Sequence, residues 1–341
     1  MKRVCTLLLC ACLLLGLCGC GGPKRYTADT FAFDTVISLV AYCDSEEQFQ
    51  AIRSAAFGRI QELHKKFDIY NEYESVNNIK TINDNAGVAP VAVDKAIIDL
   101  LTDCKAYYAL SGGRVNVMMG SVLRLWHEAR NDGLNDPANA KLPDQNALLE
   151  AANHISMDAL VIDETASTVY LSDPQASLDV GAVATGGATQ RAAEAAAEGM
   201  LISVGGNVCA TGPKKADGTP WVIGIQNPDV PDENIHTLFV PFGSVVTSGD
   251  YQRAYVVDGK AYHHIIDPDT LMPAAYWRSV SIVCGDDFSD SGLADALSTA
   301  LFLMDREEGL ALAQRCGVEV LWVDAAGEEY MTSGFEEIMR T

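Results

Sequence analysis

Two oxygen-bearing side chains near the C-terminal end, Asp295 and Thr299, have the types and the spacing of ligands for a hard metal ion. They stand four residues apart in the segment ADALSTA, which places them on one face of a predicted helix. Mg²⁺ prefers oxygen ligands and usually combines few protein groups with phosphate oxygens of a substrate. The same spacing also fits a solvated Asp295 and a Thr299 hydroxyl that bonds its own backbone. The first interpretation predicts a metal site for a phosphorylated ligand.

A histidine pair, His263 and His264, is the candidate source of a general base. The segment 245–268, VVTSGDYQRAYVVDGKAYHHIIDP, predicts three strands, joined by a polar turn at 247–250 and an Asp-Gly hairpin turn at 258–259. Histidine titrates near neutral pH, which suits proton transfer. Alternation along the strand puts the two rings on opposite faces. His264 is therefore the candidate base and His263 the structural residue, although a strand histidine can also simply be packed or solvated.

Small and polar residues elsewhere could bind the ligand itself. Glycine lets a backbone approach a ligand closely, and hydroxyl and backbone donors in a polar turn can hold a pyrophosphate. The candidate ligand-binding residues are Asp179, Gly205, Gly206, Asn207, Thr247, Ser248, Gly249 and Arg253. Of these, Asp179 could instead only end its strand, and Arg253 could be exposed at a sheet edge.

Hydrophobic periodicity predicts the elements that position these groups. Helices are predicted at 46–67, 94–110, 145–152, 188–200, 293–304 and 307–316, and a polar loop at 131–143. Strands are predicted at 31–42, 160–163, 168–171, 201–204, 221–226, 237–242, 244–247, 254–257, 280–284 and 318–323. Hairpins mixed with helices predict an α+β fold of mixed, largely antiparallel sheets with packed helices. The length allows one large domain or two closely packed lobes.

A series of motifs resembles those of the FAD:protein FMN transferases, the ApbE-type flavin transferases. In chain order they are FAFDT (31–35), SGG (111–113) with LW (125–126), SLDVGA (177–182), SVGGNV (203–208) with WVIGIQNP (221–228), TSGDYQR (247–253), HHIIDP (263–268) and ADALSTA (294–300). The resemblance covers residues 29 to 335, and the order of so many motifs makes it specific.

The resemblance implies an ApbE-like fold and a Mg²⁺-dependent transfer of the FMN moiety of FAD to a Thr or Ser hydroxyl, with release of AMP. It maps the metal ligands onto Asp295, Thr299 and a backbone carbonyl in the loop 182–184, for which we take Ala184. It maps the family's histidine onto His264. It also implies an acceptor domain of a membrane-associated, extracytoplasmic electron-transfer protein as partner.

The sequence departs from the family pattern in three places. In the block that resembles G.IAKGYA, Thr185 replaces the usual Lys and Gly187 the usual Tyr. Asn116 stands where an Asp is common. Loss of a cation beside a pyrophosphate removes charge stabilisation and could weaken FAD binding or slow transfer.

The N-terminus reads as a targeting segment, which is excluded from the fold. Lys2 and Arg3 precede a short apolar run, and the sequence LCGC (17–20) matches a bacterial lipobox. This pattern predicts a signal peptide at 1–19, lipidation of Cys20, a linker over 20–28 and the transferase domain over 29–341. The protein would then be extracytoplasmic and anchored to the bacterial membrane by lipid. A plain secretory signal or a membrane-spanning anchor is the alternative.

Composition excludes some classes of partner. The chain has 46 acidic and 24 basic residues and a formal charge of −22, which disfavours nucleic acid and anionic lipid surfaces. Five of the ten cysteines fall in the first 20 residues, and the others are scattered singly. Neither a zinc site nor a disulfide framework is therefore predicted.

Two rival functions fit the same residues. The first is hydrolysis of FAD to FMN and AMP, because the same metal and base can serve water as the nucleophile. The second is a non-catalytic lipoprotein that binds a flavin. The combination of His264, Asp295 and Thr299 favours catalysis over binding alone. The replacement of the family's usual Lys by Thr185 favours binding without catalysis.

Overall fold

The computed structural model describes residues 22–230, 232–285 and 291–340. The predicted signal peptide and the lipidation site Cys20 lie outside the described residues. The first strand begins at Lys24, inside the segment that the sequence suggested as a linker. Within the described ranges, no helix combines the length and the apolar character needed to cross a lipid bilayer.

The described chain alternates hairpins with helices. The helices are α1 (Glu46–Phe67), α2 (Ile79–Asp84), α3 (Lys95–Leu110), α4 (Gly120–Asn135), α5 (Gln145–Ala151), α6 (Gly181–Ala195), α7 (Ser291–Phe302), α8 (Arg306–Cys316) and α9 (Ser333–Ile338). The strands are β1 (Lys24–Ala32), β2 (Thr35–Cys43), β3 (Val91–Ala92), β4 (Leu160–Asp163), β5 (Thr168–Leu171), β6 (Met200–Val204), β7 (Asn207–Ala210), β8 (Trp221–Gln226), β9 (Asn234–Val240), β10 (Gly243–Gly249), β11 (Ala254–Val257), β12 (Lys260–His263), β13 (Ser279–Cys284), β14 (Glu319–Val323) and β15 (Glu329–Met331).

An eight-stranded antiparallel sheet, in the order β1-β2-β6-β7-β10-β13-β14-β15, forms the centre of the structure. Strand residues alternate between its two faces. On one face, helices α1, α6 and α7 pack on the strands. On the other face, the β8–β9 hairpin and α9 cover a core that includes Val245, Val283 and Phe335. Both faces of the sheet are thus buried, and the fold is α+β as predicted.

Two smaller units extend the helical side of the molecule. One is the three-stranded sheet β3-β5-β4, whose residues share a core with α2 and α3. The other joins α4 and α5 to the β11–β12 hairpin around Trp126, which is buried and donates its indole N–H to the Leu271 carbonyl at 3.0 Å. Trp126 is therefore a core residue, and its helix holds the hairpin that leads into His264.

Several predicted elements are confirmed, among them α1 and the β4–β5 hairpin. The single strand predicted over 31–42 is wrong, because the chain reverses at Phe33 and Asp34 between β1 and β2. Both residues have positive φ (53° and 55°), as a two-residue hairpin turn of type I′ requires. Neither residue is a glycine, so the sequence carries no ordinary signal for this turn.

Three other boundaries differ from the prediction. Helix α4 continues to Asn135, through part of the loop predicted at 131–143. Helix α6 spans Gly181–Ala195, beginning seven residues before the predicted start at 188. The polar turn predicted at 247–250 is mostly strand, because β10 continues to Gly249. Both helix errors involve glycines that other elements pack against.

Candidate active site

Helices α6 and α7 cross in close contact at Gly186. A Cβ at this glycine would lie 2.4 Å from the Cβ of Asp295 and 2.5 Å from the carbonyl oxygen of Ser291. No side chain fits at such distances, and neither of these neighbours can swing away. Glycine at position 186 therefore sets the approach of α6 to the carboxylate of Asp295.

We predict that Gly186→Ala destabilises the protein by about 1–3 kcal/mol, as overpacking does in tight interiors. The matched control is Gly58→Ala in the exposed part of α1, where nothing lies within 4 Å of the added methyl. This control is expected to stabilise by about 0.5–1 kcal/mol, since alanine is the better helix former. Urea unfolding of both variants measures the two effects. Equal stability of the two variants would contradict the close contact of α6 with α7 at Gly186.

Asp295 is a buried carboxylate held by neutral donors. Its Oδ2 accepts the Thr185 hydroxyl at 2.9 Å and the Gly186 N–H at 2.7 Å. The Asn207 side chain in turn donates to the Thr185 hydroxyl at 2.8 Å. Burial raises the pKa of Asp295 to about 6, against the opposing effect of these hydrogen bonds. A cation beside the carboxylate would offset the cost of burying its charge.

The residues proposed as metal ligands fit that need. Thr299 shares helix α7 with Asp295, and its hydroxyl makes no hydrogen bond with the residues that the structure describes. Ala184 is buried and directly precedes Thr185, whose side chain touches Asp295. The described ranges contain no group of three or more His, Cys, Asp or Glu side chains suited to a metal. One carboxylate with hydroxyl and carbonyl oxygens is the donor set that Mg²⁺ takes when phosphates complete its shell.

Strand β10 places two of the predicted ligand-binding hydroxyls on opposite faces of the sheet. Ser248 faces α7, where its hydroxyl lies 2.8 Å from that of Ser298, which donates to the Asp295 carbonyl at 2.8 Å. Thr247 instead pairs with Ser281 across the strands, with their hydroxyl oxygens 2.8 Å apart. The structure therefore brings Ser248 to the carboxylate helix and directs Thr247 away from it. Gly249 ends the strand.

Gly205 and Gly206 form the two-residue turn between β6 and β7. Both have positive φ, and a Cβ on Gly205 would lie 2.9 Å from the Thr35 side chain, whereas nothing lies within 4 Å of Gly206. The turn therefore packs beside the β1–β2 turn and leaves Gly206 open to a ligand. Asn207 follows directly, and its amide is engaged by Thr185.

The two histidines have different surroundings, as alternation along the strand predicts. The His263 Nε2 lies 2.8 Å from the Ala274 carbonyl, and its ring packs edge-on against Phe302 with 5.6 Å between centroids. The Nδ1 of His264, in contrast, is buried without a hydrogen-bond partner among the described residues. Asp267 does not orient His264, because its Oδ1 accepts the backbone N–H of Asp269 at 2.7 Å in the following turn.

Two arginines and two histidines act electrostatically on His264. Burial, together with Arg253, His263, Arg130 and His127, lowers the pKa of His264 to about 3. Arg253 is exposed, and its charge also lowers the pKa of Asp295. Among the described residues, neither Arg253 nor Arg130 forms an ion pair. Cations without carboxylate partners beside an unpartnered ring nitrogen suit an anionic ligand.

Three further residues, Tyr70, His127 and Arg130, lie in this region and were not predicted as site residues from the sequence. His127 and Arg130 lie three apart on α4, and the Tyr70 hydroxyl lies 2.9 Å from the Nδ1 of His127. Burial and the Asp179 charge raise the pKa of Tyr70 to about 12, although 58% of the residue's surface remains exposed. The helical spacing of His127 and Arg130 was the available signal. It identifies a shared face without showing what that face contacts.

Asp179 lies at the start of α6. Its Oδ1 accepts the Gly181 N–H at 2.9 Å, so it satisfies a backbone donor of the first helical turn. Its charge also acts on Tyr70 and His127. The structure thus brings Asp179 near Tyr70 and His127, and its carboxylate caps the first turn of α6.

The low pKa of His264 predicts acid sensitivity. The unfolded chain binds a proton at His264 below pH 6.5, whereas the folded protein does not until about pH 3. Stability from this residue is therefore present above the unfolded pKa and is lost as pH falls. We expect the drop in unfolding free energy between pH 7.5 and pH 5 to be about 2 kcal/mol smaller in His264→Gln. Urea titrations at both pH values measure it, and an unchanged drop would contradict the burial of a neutral His264.

The fold is that of ApbE proteins of known structure. The ApbE protein of Thermotoga maritima superposes with a TM-score of 0.81 at 30% identity and covers 93% of this chain and 100% of its own. The flavin transferase ApbE of Vibrio cholerae has a TM-score of 0.76 at 21% identity and covers 93% of this chain and 99% of its own, which supports the fold alone.

Sequence comparison leads to the same family. The ApbE family matches residues 33–322, and the chain belongs to this family. A protein named FAD:protein FMN transferase from Treponema pallidum is 30% identical over 334 residues, covering 92% of this chain and 89% of the relative. One of the same name from Klebsiella pneumoniae is 30% identical over 277 residues, covering 79% and 82%.

Proposed function

We propose that this protein transfers the FMN moiety of FAD to a Thr or Ser hydroxyl of an acceptor protein and releases AMP. The observation that carries the proposal is the buried carboxylate of Asp295, held by neutral donors within range of the Arg253 charge. The name that its relatives share supports the choice of FAD as donor and of a protein as acceptor.

The two arginines near His264 would bind the anionic part of FAD. Arg253 and Arg130 both lower the pKa of His264, whereas burial lowers the pKa of the neighbouring His127 and favours its neutral form. A pyrophosphate beside them would neutralise their charges and raise the pKa of His264 from its low value in the free protein. Phosphate binding and proton uptake by His264 are thereby coupled, because each favours the other.

The reaction is a displacement at phosphorus. The acceptor hydroxyl oxygen forms a bond to the FMN phosphorus as the bond from that phosphorus to the bridging oxygen breaks. The electron pair of the broken bond leaves on AMP, and the hydroxyl proton goes to His264, which is neutral and able to accept it. Arg253 and Arg130 would stabilise the negative charge that develops on the phosphoryl oxygens.

A divalent cation would be held by Asp295, Thr299 and the Ala184 carbonyl. When bound, Mg²⁺ would neutralise charge on the pyrophosphate and on the leaving phosphate. The protein's own part is to hold the Asp295 carboxylate in place, through the Thr185 hydroxyl and the Gly186 N–H. The Ser298 hydroxyl donates to the Asp295 backbone carbonyl on the same helix, and the Ser248 hydroxyl contacts that of Ser298 from β10.

The cellular setting is also a proposal. A lipidated Cys20 would hold the enzyme at the outer face of the bacterial cell membrane. A domain of a membrane-associated electron-transfer protein would then be within reach as acceptor. Labelling with a radioactive fatty acid in cells tests the anchor: a labelled wild type and an unlabelled Cys20→Ala variant support it, and an unlabelled wild type would exclude it.

Hydrolysis of FAD is the second candidate, because water could replace the acceptor hydroxyl beside a neutral His264. Product analysis separates the two. With FAD and Mg²⁺, chromatography should show little AMP until an acceptor domain is added, and then AMP equal to the flavin bound. AMP and free FMN formed at the same rate with and without acceptor would favour the hydrolase.

A further inference from the structure

A chain of hydrogen bonds connects Asn207, Thr185 and Asp295 across three elements of the fold. Asn207 begins β7, Thr185 lies in the first turns of α6 and Asp295 lies on α7. The Asn207 amide donates to the Thr185 hydroxyl at 2.8 Å, and this hydroxyl donates to Asp295 Oδ2 at 2.9 Å. Thr185 also takes the place of the family's usual lysine, so the contact belongs to this chain's own version of the site.

The direction of the Thr185 hydroxyl proton follows from this chain. A hydroxyl has one proton to donate and accepts through its lone pairs. An amide nitrogen carries only donors, so the Thr185 oxygen must accept from Asn207. Its own proton is then free to point at Asp295.

The carboxylate has two oxygens with about two lone-pair positions each. The hydrogen bonds from Thr185 and from the Gly186 N–H both end on Oδ2. The Asn207 side chain also lowers the pKa of Asp295 by hydrogen bonding, and its amide lies 2.8 Å from the Thr185 hydroxyl beside Oδ2. This oxygen is therefore fully used by the protein. Oδ1 is the oxygen left to face a metal ion.

We propose that Thr185 is a positioning residue for the divalent cation, because its hydroxyl occupies Oδ2 and presents Oδ1 of Asp295 to the metal. The groups that hold Oδ2, the Thr185 hydroxyl and the Gly186 N–H, are neutral donors. The negative charge of the carboxylate therefore remains available to the cation. The inference rests on the proposed metal-dependent function and adds to it the residue that orients the ligand. Thr185 itself need not contact the metal or the FAD.

Metal affinity in the absence of FAD gives the direct test. Mn²⁺ is titrated into the full-length protein in detergent micelles, and free Mn²⁺ is followed by electron paramagnetic resonance. Thr185→Val keeps the shape and removes the hydroxyl, and we expect its Kd for Mn²⁺ to rise about tenfold or more, as for other residues that orient metal ligands. Thr185→Ser restores the hydroxyl and should bind within about threefold of wild type.

The steady-state parameters provide a second measurement that a general structural defect would not reproduce. In Thr185→Val the Mg²⁺ concentration for half-maximal rate should rise by the same factor as the Mn²⁺ Kd. The rate at saturating Mg²⁺ should remain close to wild type. Thr185→Ala, which also lacks the hydroxyl and adds no bulk, is measured beside it so that a packing defect specific to valine is recognised.

Asp295→Ala separates a failure of this inference from a failure of the proposed function. If Asp295→Ala loses Mn²⁺ binding while Thr185→Val and Thr185→Ala bind as wild type does, Thr185 has no positioning role and the metal site stands. If Asp295→Ala binds Mn²⁺ as tightly as wild type, the metal site is elsewhere and both ideas are overturned. Loss in the three variants with rescue by serine supports the proposal.

Discussion

Asp295→Ala is expected to lower Mg²⁺-dependent flavin transfer by at least about 10³-fold, the loss typical of removing the main electrostatic element of a phosphoryl-transfer site. The variant removes the only carboxylate among the three proposed ligands. It also leaves the Thr185 hydroxyl and the Gly186 N–H without their acceptor. Initial rates of AMP release at saturating FAD measure the effect over a range of Mg²⁺ concentrations.

Asp295→Asn is the matched control for this prediction. The amide keeps the size of the side chain, and its oxygen can still accept from Gly186 or Thr185. It removes the charge that attracts the cation, so transfer should remain strongly impaired while the fold is preserved. Burial raises the pKa of Asp295 to about 6, which means that the buried charge costs folding free energy at pH 8. Asparagine carries no charge and avoids this cost, so the metal-free variant should be at least as stable as wild type at pH 8. A fully active Asp295→Asn variant would refute the metal assignment.

His264→Gln is expected to slow transfer by about 10²–10⁴-fold, the usual contribution of a positioned general base. Glutamine offers hydrogen bonds and cannot take up the acceptor proton. The neutral state of His264 in the free protein is suited to this role, since a protonated ring could not accept. Single-turnover rates with FAD already bound separate the chemical step from binding.

His263→Gln is the neighbouring control, because His263 contacts Ala274 and Phe302 on the other side of the strand. We expect this variant to lose stability while it retains most of the transfer rate. Equal loss of rate in both variants would mean that the hairpin position matters and the His264 base does not.

The class of the fold could be predicted because its signals are local. Helix α1 shows regular apolar spacing over its full length, and Asp258-Gly259 marks the β11–β12 hairpin as a turn signal of ordinary type. The β1–β2 turn escaped prediction because Phe33 and Asp34 adopt positive φ without a glycine. Their conformation is imposed by the pairing of the flanking strands.

The helices that were placed wrongly owe their boundaries to tertiary packing. Gly186 and Gly187 weaken helix propensity in α6, yet Gly186 is where α7 makes its closest approach. Gly133 similarly lies under the ring of Tyr255, which a Cβ would meet at 2.7 Å, and α4 therefore continues through it. No local pattern contains these contacts.

Site residues that belong to short sequence motifs could be predicted. Contacts between residues far apart in the sequence could not, because they form only in the folded chain. Asp295, Thr299 and His264 stand out in short segments. The contact of Thr185 with Asp295 joins residues 110 positions apart, and Tyr70 meets His127 over 57. From the sequence, Thr185 could be recognised only as a replacement of the lysine that is usual at this position. In the structure it is a hydrogen-bond donor to the proposed metal ligand.

The central claim is tested most directly by the intact mass of an acceptor domain incubated with this protein, FAD and Mg²⁺. The account predicts a mass increase equal to one FMN, an equal amount of AMP, and loss of both when a chelator removes the metal. Absence of any mass increase across a panel of acceptor domains, with AMP and free FMN still formed, would contradict the transferase and favour the hydrolase. Tight FAD binding without AMP would contradict catalysis altogether.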